Sequence, residues 1–165
     1  MWRRLPNQLT VARLILAGAF FLLLNQYRYP DVNTWALVAA FVVFILAGIT
    51  DWADGFLARR WQVESTFGRI MDPFCDKVLV IGAFIYLAGP RFVDPEAVAA
   101  GNFFTMASGF YPWMVAIMLA RELLVTGIRG EMESQGHAFG AKFIGKVKTV
   151  VQLVAIPFLL AIIWV

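Results

Sequence analysis

Between Ala36 and Ile49 the chain carries no charged residue, and two positions later it reaches Asp51. This apolar run, extended at both ends, predicts one long helix over about 34–60. Its 27 residues at the helical rise would span about 40 Å, against a hydrocarbon core of about 30 Å. The middle of such a helix suits a bilayer, and its charged last turns should project to or beyond the membrane surface. Composition agrees: 61% of residues are hydrophobic, 15% are charged and the mean hydropathy is +0.72, a balance that fits a membrane protein. With 165 residues there is room for one bundle, so residues 1–165 are expected to form a single domain.

The charged end of that helix opens a dense pattern. It reads Asp51-x2-Asp54-Gly55-x2-Ala58-Arg59, then eight residues, then Gly68-x3-Asp72-x3-Asp76. At ~100° per residue the first group shares one helical face. Gly68, Asp72 and Asp76 form a second stripe on a following helix. A short connection would make the two helices antiparallel neighbours with their stripes facing. Four aspartates so crowded repel, and each Asp within a membrane costs about 2.5–3.5 kcal/mol on insertion scales. Divalent metal relieves both problems, and hard carboxylate oxygens suit Mg²⁺, Mn²⁺ or Ca²⁺.

This string resembles the signature of the CDP-alcohol phosphatidyltransferase family, with all its specified residues at their spacing. The resemblance extends over roughly 6–152. Members of the family that make phosphatidylglycerophosphate have similar segments to Pro6-Asn7-x-Leu9-Thr10-x2-Arg13, Ala120-Arg121-Glu122 and Gly145-Lys146-Val147-Lys148-Thr149-x2-Gln152. It implies an all-α, polytopic transmembrane helix bundle, and family members usually have six such helices. Five are expected here, the last running apolar to Val165.

The other elements follow from composition along the chain. Trp2, Arg3 and Arg4 suit an interfacial N-terminal segment at anionic head groups. Basic residues ahead of an apolar run also mark signal peptides, but the run continues past Ala17-Gly18-Ala19, so an uncleaved first helix is expected over about 7–25. Asn7, Thr10 and Arg13 line one side of it. The third helix is expected over about 68–88, with Gly89-Pro90 as its stop. Residues 90–110 form a loop whose Phe92, Phe103, Phe104 and Met106 suggest a short helix lying on the membrane. The fourth helix is expected over about 111–129, followed by a polar connection to Gly140, and the fifth from about 141. Cys75 is the sole cysteine, which excludes an intrachain disulfide, and it reads as a small buried hydrophobe. His137 reads as a solvated loop residue.

Charge placement predicts topology. If the N-terminus, the 60–69 linker and the 130–142 loop share one side, that side and its helix ends hold every Lys and Arg except Arg28 and Arg91. The crowded side is therefore expected to be cytoplasmic, and the aspartates lie on it, as in an inner (cell) membrane of bacterial type. Arg121, Arg129, Lys142, Lys146 and Lys148 also cluster there. Part of this is membrane anchoring, but cations beside a carboxylate cluster can receive a substrate phosphate.

The resemblance implies a specific reaction. CDP-diacylglycerol and sn-glycerol 3-phosphate would give phosphatidylglycerophosphate and CMP, with two divalent ions (Mg²⁺ or Mn²⁺) as cofactors. Carried over position by position, Asp51, Asp54 and Asp72 are metal ligands. Asp76 is a ligand and the general base for the acceptor hydroxyl. Gly55, Ala58 and Gly68 leave space for the cytidine, and Arg59 pairs with the diphosphate. For the acceptor phosphate the candidates are Arg121, Arg129, Lys146 and Lys148, with Arg13. A homodimer and contact with membrane lipid are implied; a nucleic-acid partner is not expected. Three alternatives remain on the sequence. The acceptor could be inositol phosphate, serine or phosphatidylglycerol. A prenyl-diphosphate enzyme also uses aspartate-rich motifs, though it leaves Gly55, Arg59 and Gly68 unexplained. An ion transporter could use the same carboxylates, but no inverted internal repeat is visible.

Overall fold

The computed structural model describes residues 5–31, 34–61, 66–135 and 143–164, with side chains described for 11–31, 34–51, 71, 74–132, 134–135 and 150–164. Among these residues the elements are α1 (Leu5–Gln26), α2 (Trp35–Trp61), α3 (Thr66–Leu87), a 3-10 turn (Pro90–Phe92), a short α4 (Pro95–Ala99), α5 (Pro112–Ser134) and α6 (Phe143–Trp164). The single β feature among them is an isolated bridge between Val93 and Met106. The five long helices match the sequence expectation in number and closely in extent. Trp2, Arg3 and Arg4, the 62–65 linker and His137 lie outside the described residues.

Each long helix buries one stripe. On α1 the buried residues are Arg13, Ala17, Phe20 and Leu24, and on α2 they include Ala40, Phe44 and Ala47. These recur three or four residues apart, the spacing of one helical face. α1 packs against both α2 and α3, while α2 also meets α6, and α3 meets α5 and α6. The sequence reading paired α2 and α3 directly. Among the described residues α1 lies against both instead, because its stripe carries the large rings that fill the space. Phe20 meets Phe44 of α2, with centroids 5.3 Å apart, and Phe21 stacks on Tyr86 of α3 at 5.4 Å and 3°. Gly82 permits that approach: a Cβ there would run into the Phe21 ring.

The end of the bundle away from Asp51 is tied by its loops. Tyr29 donates its N–H to the Arg91 carbonyl at 2.8 Å, and the Tyr27 ring packs on Phe92. The buried Ser108 hydroxyl donates to the Leu87 carbonyl at 2.6 Å and accepts from the Phe110 N–H. The Asp94 carboxylate caps α4 by accepting from the N–H groups of Glu96 and Ala97.

Two expectations need correction here. The apolar residues of the 90–110 loop are not collected on a helix. Phe92 is fully buried in the 3-10 turn, while Phe103 and Phe104 are exposed in the loop after α4. The predicted end of the fourth helix at Arg129 is too early, since α5 continues through Gly130 to Ser134. One internal glycine costs only about 1 kcal/mol of helix propensity, and the Glu131 and Met132 that follow are good helix formers.

Among the described residues no helix is long and apolar enough to cross a membrane. The outer faces nonetheless carry large exposed apolar side chains, among them Ile15, Leu22, Leu46, Ile49, Ile117 and Phe158.

Candidate active site

The buried stripes do not end in apolar residues. Asp51 continues the α2 stripe four residues after Ala47, and on α3 Asp76 precedes the buried Val80 by the same interval. On α1 Arg13 is the first buried residue among the described side chains. Since the stripes pack together, the three charged side chains are forced to meet where the apolar core stops.

They do meet. The Nη1 of Arg13 lies 2.8 Å from Oδ1 of Asp51 and 3.2 Å from Oδ1 of Asp76. The Arg13 side chain is 1% exposed, whereas the two carboxylates are 41% and 45% exposed. The guanidinium is thus buried, and the carboxylates it contacts stay partly open. Desolvating an arginine costs several kcal/mol unless it is paired with good geometry, and two carboxylates brought together repel. Each group here supplies what the other lacks.

Asp76 also lines a cavity of about 330 Å³ between α3, α5 and α6. Its polar part comprises Asp76, Lys77, Glu122, Arg129 and Gln152, and its apolar part Val80, Ile81, Phe84, Val115 and Met118. Val115, Met118, Glu122 and Arg129 share one face of α5. Lys77 donates to the Thr126 hydroxyl at 2.8 Å, and Thr126 donates to the Glu122 carbonyl at 2.8 Å. This chain of bonds holds the Lys77 ammonium against α5. A pocket with cations and carboxylates at one end and apolar walls at the other can take a small polar anion beside an apolar chain.

The expected site residues fall into three groups. Asp51, Asp76 and Arg13 come together, and Arg129 joins Asp76 at the cavity. Arg121 does not line the cavity; it is half-exposed and pairs with Glu122 at 3.2 Å. The side chains of Asp54, Gly55, Ala58 and Arg59 on α2, Gly68 and Asp72 on α3, and Lys142, Lys146 and Lys148 lie outside the described residues. Among the described residues there is accordingly no cluster of three or more metal-ligating side chains. Lys77, Glu122 and Gln152 were not chosen from the sequence. Their signal was present, since Lys77 follows Asp76 directly and the other two end the segments Ala120–Glu122 and Gly145–Gln152.

Comparison with known proteins accords with this arrangement. The family model described as CDP-alcohol phosphatidyltransferase matches residues 3–165. A CDP-diacylglycerol–glycerol-3-phosphate 3-phosphatidyltransferase of Bacillus subtilis (strain 168) is 32% identical over 163 residues, covering 94% of this chain and 76% of that protein. The protein of the same name from Escherichia coli (strain K12) is 36% identical over 162 residues, with the same two coverages. The match runs through all the helices that frame Asp51 and Asp76, and by it the chain belongs to the CDP-alcohol phosphatidyltransferase family.

Proposed function

We propose that this protein transfers the phosphatidyl group of CDP-diacylglycerol to sn-glycerol 3-phosphate, releasing CMP. The observation that carries the reading is that Asp76, which meets Asp51 through Arg13, also lines a cavity with Glu122 and Arg129. The names of the relatives supply the substrate pair, and a carboxylate beside a cation in a half-apolar pocket supports the reading.

Asp76 acts as the general base. Its carboxylate takes the proton of the acceptor hydroxyl as that oxygen attacks the phosphorus next to the lipid; the new P–O bond forms and the bond to the CMP phosphate breaks. Base catalysis requires Asp76 ionised and within hydrogen-bond reach, and the Arg13 guanidinium lies 3.2 Å from its Oδ1. Arg129, with Lys146 and Lys148, binds the phosphate of the acceptor and orients its hydroxyl. Arg121, the remaining candidate, would assist from the rim. Gly55, Ala58 and Gly68 make room for the cytidine and Arg59 holds the diphosphate, as the family pattern implies.

Asp51 and Asp76 fit a divalent ion, since both are half-exposed carboxylates whose Oδ1 atoms contact the same nitrogen. Asp51, Asp54, Asp72 and Asp76 would hold two such ions, Mg²⁺ or Mn²⁺. When bound, these would neutralise charge on the diphosphate and on the departing CMP.

The helices are proposed to span a bacterial-type cell membrane with the aspartates on the cytoplasmic side. Exposed Ile15, Leu22, Leu46 and Phe158 form apolar surface that water disfavours and lipid accepts. Retention in the membrane pellet after alkaline carbonate washing checks that placement. Proteolysis of sealed vesicles of known orientation checks the side. The homodimer implied by the resemblance is checked by the mass of the detergent-solubilised protein.

The deciding experiment is CMP release by purified protein offered glycerol 3-phosphate, inositol phosphate, serine or phosphatidylglycerol, with and without Mg²⁺ or Mn²⁺. Release with glycerol 3-phosphate and a divalent ion alone is the expected result. Preference for another acceptor would overturn the substrate; ion uptake into vesicles without CMP release would overturn the enzyme.

A further inference from the structure

We propose that Arg13 is a positioning residue, an internal counter-cation that holds Asp51 and Asp76 together when no divalent ion is present, rather than a ligand for the acceptor phosphate. This rests on the divalent-ion reading given above. One nitrogen, Nη1, contacts Oδ1 of both aspartates, at 2.8 and 3.2 Å. A substrate-binding arginine needs its guanidinium open to the pocket, yet Arg13 is 1% exposed and is not among the residues lining the cavity, whereas Asp76 is. Arg13 is buried, while both carboxylates it contacts are partly exposed. Their exposed edges face an arriving cation while the buried guanidinium keeps their inner oxygens in place.

The arrangement has a thermodynamic signature. Without metal, Arg13 carries the task of countering the repulsion between the carboxylates. With metal bound, that task is shared, so the contribution of Arg13 to stability falls. Removing one partner of a buried ion pair is strongly destabilising, while replacing all partners together is close to neutral. A lysine would keep the charge but present a point ammonium in place of a planar fork.

The test is thermal unfolding of the full chain in detergent micelles, in chelator and in saturating Mn²⁺. In chelator, Arg13→Gln should lower the midpoint by on the order of 10 °C, and the loss should shrink by half or more in Mn²⁺. Arg13→Lys should recover part of it. The triple variant Arg13→Gln, Asp51→Asn, Asp76→Asn should regain most of the midpoint in chelator. Where Mn²⁺ raises the midpoint of the unaltered protein, equal losses with and without it would overturn the proposal, as would an unchanged midpoint with a raised KM for glycerol 3-phosphate, the mark of a phosphate ligand. If Arg13→Gln does not fold, a folded triple variant supports the counter-cation role and an unfolded one overturns it. The unaltered protein separates the two readings. If Mn²⁺ leaves its midpoint unmoved, the divalent-ion reading fails, and recovery in the triple variant alone then decides whether Arg13 braces the carboxylates.

Discussion

The two ends of the bundle are built by opposite rules. At the end with Tyr27, Phe92 and Ser108, polar groups are few and paired, rings fill the space, and the loops are bonded to helix ends. At the other end Arg13, Asp51 and Asp76 meet, and nearly half of each carboxylate is left open. The first arrangement minimises free energy locally. The second keeps charge where a packed apolar core would be more stable, and it leaves room beside it. The difference indicates that stability is concentrated at the closed end and chemistry at the open one.

That contrast can be broken by substitution. The largest effect should come from Asp76→Asn, which is expected to lower CMP release by roughly 10²–10⁴-fold, the usual contribution of a general base; substantial retained turnover in a steady-state assay would remove Asp76 from that role. Next comes Phe92→Ala at the closed end. It should cost about 3–5 kcal/mol of stability, read as a lowered unfolding midpoint, while KM for both substrates stays the same in the folded fraction. Arg129→Ala should raise KM for glycerol 3-phosphate by about 10-fold, as expected for one charge-assisted hydrogen bond, without altering KM for CDP-diacylglycerol. Smallest is Arg121→Ala. Its partner Glu122 is its neighbour in sequence and the pair is exposed, so a change of less than about 1 kcal/mol is expected in either midpoint or kcat/KM. A large rise in KM for glycerol 3-phosphate would return Arg121 to the phosphate site.

Much of this was legible in the sequence, for reasons tied to particular residues. Helices of this length announce themselves through long apolar runs, and Asp51 and Asp76 stand out as members of the spaced aspartate pattern at the charged ends of those runs. Gly130 misled because a glycine beside a polar stretch resembles a helix end, although the residues after it favour helix. Phe92 misled because a ring in a loop looks like surface until its partner, Tyr27, is brought from 65 positions away. Lys77 and Gln152 were passed over since neither is unusual alone; their meaning comes from α3, α5 and α6 sharing one cavity. Arg13 was noticed, but its partners lie on other helices, and no local period in the sequence points to them.

The ion pair between Arg13 and Asp76 joins residues 63 apart. A ribosome therefore delivers the cation long before the second of its anions. During synthesis α1 emerges with a charge that the nascent chain cannot yet fully answer, and its final seating has to wait for α3. In a Cys75→Ala background, nascent chains arrested before residue 76 should leave a cysteine placed at the buried Ala17 position open to water-soluble alkylating reagents, and chains arrested well beyond it should protect that cysteine. Equal labelling at both lengths would show that α1 settles without its later partner.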